Sequence, residues 1–445
     1  MDYDEALAFW HGRIDYERRQ PRPGDLKLDR MRALLRRLGD PHHRFRCVHV
    51  AGTKGKGSTA AMLAAILRAA GHRTGLFTSP HLADISERVQ VDGVPIARDE
   101  IAARMTEVAA AVIAMDGEGD SARSPTFFEI ITAFGFLHFD CRRVDFAVLE
   151  VGLGGRFDST NVCEPLVSVI TNISYDHMAI LGDSLGEIAY QKAGIVKRGV
   201  PVVTTAEAPA AIEVIESVAT AAGSAVSRIG RDFHFECKTA RPFELPQVRI
   251  TTATKDWGWF PLGLFGEHQA ANAAGAVAAV ECLRSAGLSI PDRAVRDGLQ
   301  AVSWPARMEL VCRSPVVVLD CAHNVASAEA LVRTLQASFP IVGRKHLVFA
   351  ASTDKQIPEM LAILAPHFDQ FHLTRYLSNP RSADPFIVAR FLKDLGRTEV
   401  TIYDSPDAAW RAARQACGPS DGVVVAGSVF LAGELRPTVV RECQS

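Results

Sequence analysis

The stretch Cys47-Val48-His49-Val50-Ala51-Gly52-Thr53-Lys54-Gly55-Lys56-Gly57-Ser58 decides how the chain folds. Its first five residues are mostly apolar and β-branched, which predicts a buried strand. An Ala/Leu-rich run over residues 58–70, stopped by Gly71, predicts a helix. Between them, Gly52, Gly55 and Gly57 let the backbone curl so that several N–H groups can face one anion. The helix N-terminus adds its partial positive charge at the same point. Lys56 can reach the outer phosphates of a nucleotide, and the Ser58 hydroxyl can ligate Mg²⁺. The segment departs from the common G-x-x-x-x-G-K-[ST] form, because a glycine separates Lys56 from Ser58.

The strand–turn–helix rhythm continues outward. Strands are predicted at 75–78, 145–150, 166–171 and 200–204, with helices at 127–139 and 184–192. Such alternation implies a mainly parallel sheet covered on both faces. Residues 227–262 alternate in polarity instead, which predicts a small antiparallel hairpin. An Ala-rich helix follows Gly266 and runs to about residue 287. Around Pro305 the pattern breaks, then restarts with strands predicted at 316–320, 346–350, 370–373, 399–402 and 422–426. A length of 445 residues suits two α/β domains, 1–304 and a smaller, Rossmann-like 305–445.

Composition narrows the partners. A formal net charge of -2 does not suit a nucleic-acid binder. No apolar segment reaches the roughly 18 residues of a membrane helix, and the N-terminus is acidic. The nine cysteines include no Cys-x-x-Cys pair and read as free thiols of a reducing compartment. The expectation is a cytoplasmic monomer that handles small molecules.

Phosphate chemistry needs further groups at the carboxyl ends of neighbouring strands. Glu150 ends an apolar strand and precedes the glycine loop Val151-Gly152-Leu153-Gly154-Gly155-Arg156. His177 lies just past the next strand, in Asp176-His177. Both are candidate metal ligands. Lys192, beside the same edge, is either a surface lysine near a helix end or a buried amine able to form a carbamate with CO₂. In the second half, Asp320 and His323 occupy another strand-to-helix turn, and Arg307 can clamp charge on a transferring phosphoryl group.

Taken in order, these segments resemble the folylpolyglutamate synthase/dihydrofolate synthase family of the Mur ligase superfamily. The resemblance is carried by residues 48–58, Thr78-Ser79-Pro80-His81-Leu82, Pro125-Thr126-Phe127-Phe128-Glu129, 150–161, Asp176-His177, Lys192-Ala193-Gly194-Ile195, His268-Gln269-Ala270-Ala271-Asn272, Asp320-Cys321-Ala322-His323-Asn324, 379–385 and 427–434. It implies a P-loop Mur-ligase-like central domain and an ATP-dependent ligase that adds L-glutamate to dihydropteroate or to folates through an acyl phosphate. It further implies that Gly52, Thr53, Gly55, Lys56, Gly57, Ser58, Asn272, Arg307 and Asp320 hold ATP. Ser58, Ser79, Glu150 and His177 would bind Mg²⁺, a carbamylated Lys192 would hold a second Mg²⁺, and His323 would lie near the transferred phosphate. Leu26, Thr126, Phe128 and Asp158 would face the pterin. Lys54 stands where many bacterial members carry asparagine. Two other readings compete: a Mur-type ligase acting on a UDP-linked cell-wall precursor, and a nucleotide switch without ligase activity.

Overall fold

The computed structural model describes residues 1–16, 25–118 and 124–444. Eight strands form the first sheet: β1 (Arg46–Ala51), β2 (Thr74–Phe77), β3 (Val89–Val91), β4 (Val94–Pro95), β5 (Phe146–Glu150), β6 (Val167–Ile170), β7 (Val202–Thr204) and β8 (Val226–Arg228). Their order is β4-β3-β2-β5-β1-β6-β7-β8, parallel from β2 to β8, with only the short β3 and β4 antiparallel. β1 and β5 are buried along nearly their whole length, as parallel strands covered by helices require. The register Val50↔Glu150 and Ala51↔Ile170 brings the carboxyl ends of β5, β1 and β6 level. Everything that follows those ends therefore meets at one edge of the sheet.

Residues 227–262 form three antiparallel strands rather than the expected hairpin: β9 (Phe233–Lys238), β10 (Gln247–Thr252) and β11 (Asp256–Pro261), in the order β11-β10-β9. The third strand escapes the polarity pattern because Gly258, at φ +64°, interrupts it and the β10–β11 register slips between Arg249 and Thr251. The last sheet contains β12 (Glu309–Arg313), β13 (Val316–Leu319), β14 (Lys345–Phe349), β15 (Gln370–Leu373), β16 (Val400–Ile402) and β17 (Gly422–Ala426). Its order is β12-β13-β17-β14-β15-β16, with β12 the antiparallel edge.

Helix packing holds the helix that follows the glycine-rich loop in place. The Lys56–Ala69 helix lies against the Asp292–Ala301 helix so closely that a Cβ at Gly298 would stand 2.6 Å from the Cα of Ile66. Gly298→Ala would have to push two backbones apart, an overpacking cost of about 1–3 kcal/mol. We expect a clearly lowered thermal midpoint by calorimetry; an unchanged midpoint would refute this packing.

Candidate active site

Each glycine of the curled segment has a steric reason. Gly52 sits at φ +145°, and a Cβ there would fall 1.8 Å from Thr171 Oγ1. Thr171 is the clamp, since its hydroxyl donates to Lys54 O at 2.7 Å. Gly55, at φ +87°, precedes the helix, and a Cβ on it would lie 2.3 Å from Asn272 Oδ1. Asn272 is in turn oriented by Gln269, whose Oε1 accepts its amide at 3.0 Å. A Cβ on Gly57 would touch the Trp304 indole at 3.2 Å and Glu150 Oε2 at 3.4 Å. The loop, Glu150 and the Ala-rich Glu267–Ser285 helix thus meet around one small space. Thr53 locks the loop to the next strand end, donating from Oγ1 to Ser174 O at 3.1 Å.

Glu150 is buried and, among the described residues, receives one hydrogen bond, from Ser79 N at 3.2 Å. Burial pushes its pKa up, while Lys56, the Ser79 N–H and Arg307 oppose that shift. A nearly unpartnered buried carboxylate next to the Ser79 backbone and Gly57 suits a hard divalent cation. His177 adopts the left-handed conformation at φ 51°, at the start of a short helix. Its side chain is 44% exposed; partial desolvation, followed by the nearby lysines 355, 56 and 192, draws its pKa down against the opposing pull of Asp176. A neutral imidazole is the form that ligates metal.

Lys192 ends the Leu185–Lys192 helix and is buried, not on the surface. Its Nζ donates to Gly52 O at 2.8 Å, which ties it to the glycine-rich loop. Burial first, then the charge of Lys56, lowers its pKa to about 7. Near pH 7 a substantial share of such an amine is neutral, the state that adds CO₂.

Across the cleft, Asp320 is buried, with Oδ2 accepting from Met308 N at 2.8 Å and Oδ1 from Ala322 N at 2.7 Å. It fixes the turn that carries Arg307 and His323. His323 Nδ1 bonds Cys321 O at 2.8 Å, and its Nε2 lies 3.3 Å from Lys54 Nζ. Lys54 Nζ also donates to Asp176 Oδ2 at 3.0 Å, and Lys355 Nζ donates to Asp176 Oδ1 at 3.1 Å. Asp176 is thereby held well below the usual carboxylate range, while burial lowers Lys54 to about 8. Asp176, Lys355, Trp304 and Thr171 were not among the candidates read from the sequence. Lys355 follows a strand end, the one local signal that could have found it.

Beside this cleft, Thr126 caps the Phe127–Cys141 helix in a reciprocal box with Glu129. Arg30 Nε pairs with both Glu129 oxygens at 3.0 and 3.1 Å, and its Nη2 donates to Asp25 O, so the half-buried Leu26 is anchored close to Thr126. The Phe128 ring lies on Gly152, where a Cβ would stand 2.4 Å from it. Asp158 is buried and accepts from Gly152 N, Leu153 N and the Thr160 N–H and hydroxyl. Those bonds make it the post around which the glycine loop folds.

Residues 97–280 match the Mur ligase middle domain, and residues 306–429 match the Mur ligase glutamate ligase domain. The chain is 37% identical over 440 residues to a dihydrofolate synthase/folylpolyglutamate synthase of Bacillus subtilis, covering 98% of both. It belongs to the folylpolyglutamate synthase/dihydrofolate synthase family. Among solved members of that family, a Mycobacterium tuberculosis folylpolyglutamate synthase complexed with ADP superposes with a TM-score of 0.89 at 32% identity, covering 98% of each chain. An Escherichia coli member in complex with DHPP and ADP superposes at 0.85 and 31% identity, covering 100% of this chain and 99% of that one. The α/β fold expected from the folylpolyglutamate synthase resemblance is the one observed. No helix among the described residues is long and apolar enough to cross a membrane.

Proposed function

We infer that this chain is an ATP-dependent ligase that joins L-glutamate to the carboxylate of dihydropteroate or of a folate. The single observation carrying this reading is the curled loop at residues 52–58, seated against Glu150, Lys192 and Asn272 and facing His323 across the cleft. It supports a triphosphate held for transfer to an acid. The expected role assignments keep their place here: Gly52 to Ser58, Asn272, Arg307 and Asp320 for ATP, and Ser58, Ser79, Glu150 and His177 for Mg²⁺. The metal supplies charge neutralisation on the phosphates. A carbamate on Lys192 is the proposed holder of a second Mg²⁺. Residues 1–304 and 305–445 are the proposed domains of a cytoplasmic monomer.

The chemistry follows from leaving groups. Oxide does not leave a carboxylate, so the γ-phosphoryl moves to the acid oxygen and ADP departs. Lys56 and Arg307 stabilise the charge that spreads over the phosphoryl oxygens. The neutral glutamate amine then forms the amide bond, inorganic phosphate leaves, and the amine proton passes to a base. His323, its pKa pressed down chiefly by burial and then by Lys54, is one candidate base, and a carboxylate of the cleft is the other. Thr126, Phe128 and Leu26 line the proposed pterin side, with Asp158 shaping the loop beside it. Water would hydrolyse the acyl phosphate, so the cleft works best closed.

The test is ADP release by the purified chain with ATP and Mg²⁺. We expect release that requires both glutamate and dihydropteroate or a folate, with a UDP-linked acid inert. Release with the UDP-linked acid would move the reading to a cell-wall ligase, and release independent of glutamate would move it to a switch.

A further inference from the structure

We propose that His346, Cys417 and Asp421 form a binding site for a divalent transition-metal ion of the zinc class, remote from the nucleotide cleft. One donor atom from each of the three residues lies within 4.8 Å of the other two. The site sits at the amino ends of β14 and β17, since His346 is the second residue of β14 and Asp421 immediately precedes β17. Asp320 and His323 follow β13 at the opposite, carboxyl edge of the same parallel sheet.

The second observation is a buried, unsatisfied nitrogen. His346 is fully buried, and its Nε2 has no hydrogen-bond partner. Its Nδ1 is already engaged, 3.1 Å from His372 Nε2, and His372 Nδ1 is 3.2 Å from the Tyr403 hydroxyl. This leaves Nε2 as the atom available to the cluster. The relay can be polarised so that His346 Nδ1–H donates to His372 and His372 Nδ1–H donates to Tyr403. Nε2 then carries a bare lone pair, the tautomer a metal requires, fixed by outer hydrogen bonds as metal-ligating histidines usually are.

Of the other two donors, Asp421 is oriented and Cys417 lies at hand. Asp421 is held by backbone N–H groups, Arg344 N to Oδ1 and Gly418 N to Oδ2, both at 2.7 Å. Each oxygen keeps a lone pair for a cation. Cys417 is a free, partly buried thiol at the end of the Pro406–Ala416 helix. Bonds of about 2.0–2.3 Å in a tetrahedral zinc site place its ligand atoms roughly 3.3–3.8 Å apart, so these donors need to draw in by about an ångström. Binding forms bonds from Nε2, the thiolate and one carboxylate oxygen, releases the thiol proton to solvent, and leaves the fourth position to water. The nitrogen–sulfur–oxygen set selects zinc-like ions over Mg²⁺, which prefers six oxygens. The ion would fasten a helix end to two central strands.

The test uses the full chain, treated with a chelator and free of nucleotide and Mg²⁺, titrated with Zn²⁺ and with Co²⁺. We expect one tightly held Zn²⁺ per chain, a raised thermal midpoint, and a thiolate-to-cobalt charge-transfer band. Cys417→Ser should abolish the band and weaken Zn²⁺ binding at least tenfold, Asp421→Asn should weaken binding, and Cys141→Ser should change neither. Absence of stoichiometric Zn²⁺, or a band and affinity that survive Cys417→Ser, would overturn the proposal.

Discussion

Lys56→Ala is expected to lower kcat/KM for glutamate addition by about a hundred- to a thousandfold while the protein stays folded. Lys56 opens the Lys56–Ala69 helix directly after the left-handed Gly55, so its side chain is delivered to the mouth of the curl. It is only partly buried, and its loss leaves no large cavity. Its charge is also felt by the groups around it. It lowers the pKa values of Glu150, His177 and Lys192, so its removal should raise all three. Two readouts check this: ADP formation in a coupled assay, and the thermal midpoint. Ligation at the normal rate would remove the phosphate-loop assignment, and a collapsed midpoint would mean that the lost activity reports unfolding.

Lys192→Met should be the second severe loss, at least about a hundredfold in kcat, with stability held or raised. The two effects separate because the lysine is costly to bury. Its folded pKa of about 7 lies below the roughly 10.4 of an exposed lysine. The sign follows from proton counting. Between those two values the unfolded chain binds the extra proton, so stability rises with pH across that window. Below about pH 7 both states are protonated and the full cost, on the order of a few kcal/mol, is present. Methionine removes that cost and keeps most of the volume, but it leaves Gly52 O without its donor, a penalty of about 1–3 kcal/mol. Urea or thermal unfolding at pH 6.5 and pH 9 measures the balance: the wild type should gain with pH and the variant should gain less. Full activity in Lys192→Met, or wild-type activity indifferent to removal of CO₂ in a carbamate-depleted preparation, would sink the proposed role.

What the sequence disclosed depended on how local each constraint is. Gly52 and Gly55 were readable because a tight turn needs positive φ there, and Gly57 because the crowded helix start needs bare backbone. Glu150, His177 and Asp320 were readable because they follow apolar strands. The burial of Lys192 was not, since its residue type permits a surface position and only the packing next to Gly52 decides otherwise. Asp176, Lys54 and Lys355 form their contacts across 122 and 179 residues of chain, which no local periodicity encodes. β3, β4 and β8 have only two or three residues each, too few for a polarity pattern. Arg88 was equally hidden: a buried guanidinium that donates to His81 Nδ1 at 2.8 Å and lies over Phe127.

Asp176 has one carboxylate and two lysine tenants, one from a loop beside each large sheet. Lys54 lies on the loop after β1 and Lys355 on the loop after β14, so this single anion straps the first α/β half of the chain to the second. At 15% and 14% exposure that second tie is largely shielded from dissolved ions, so the strap should hold in concentrated salt, where a surface pair would slacken.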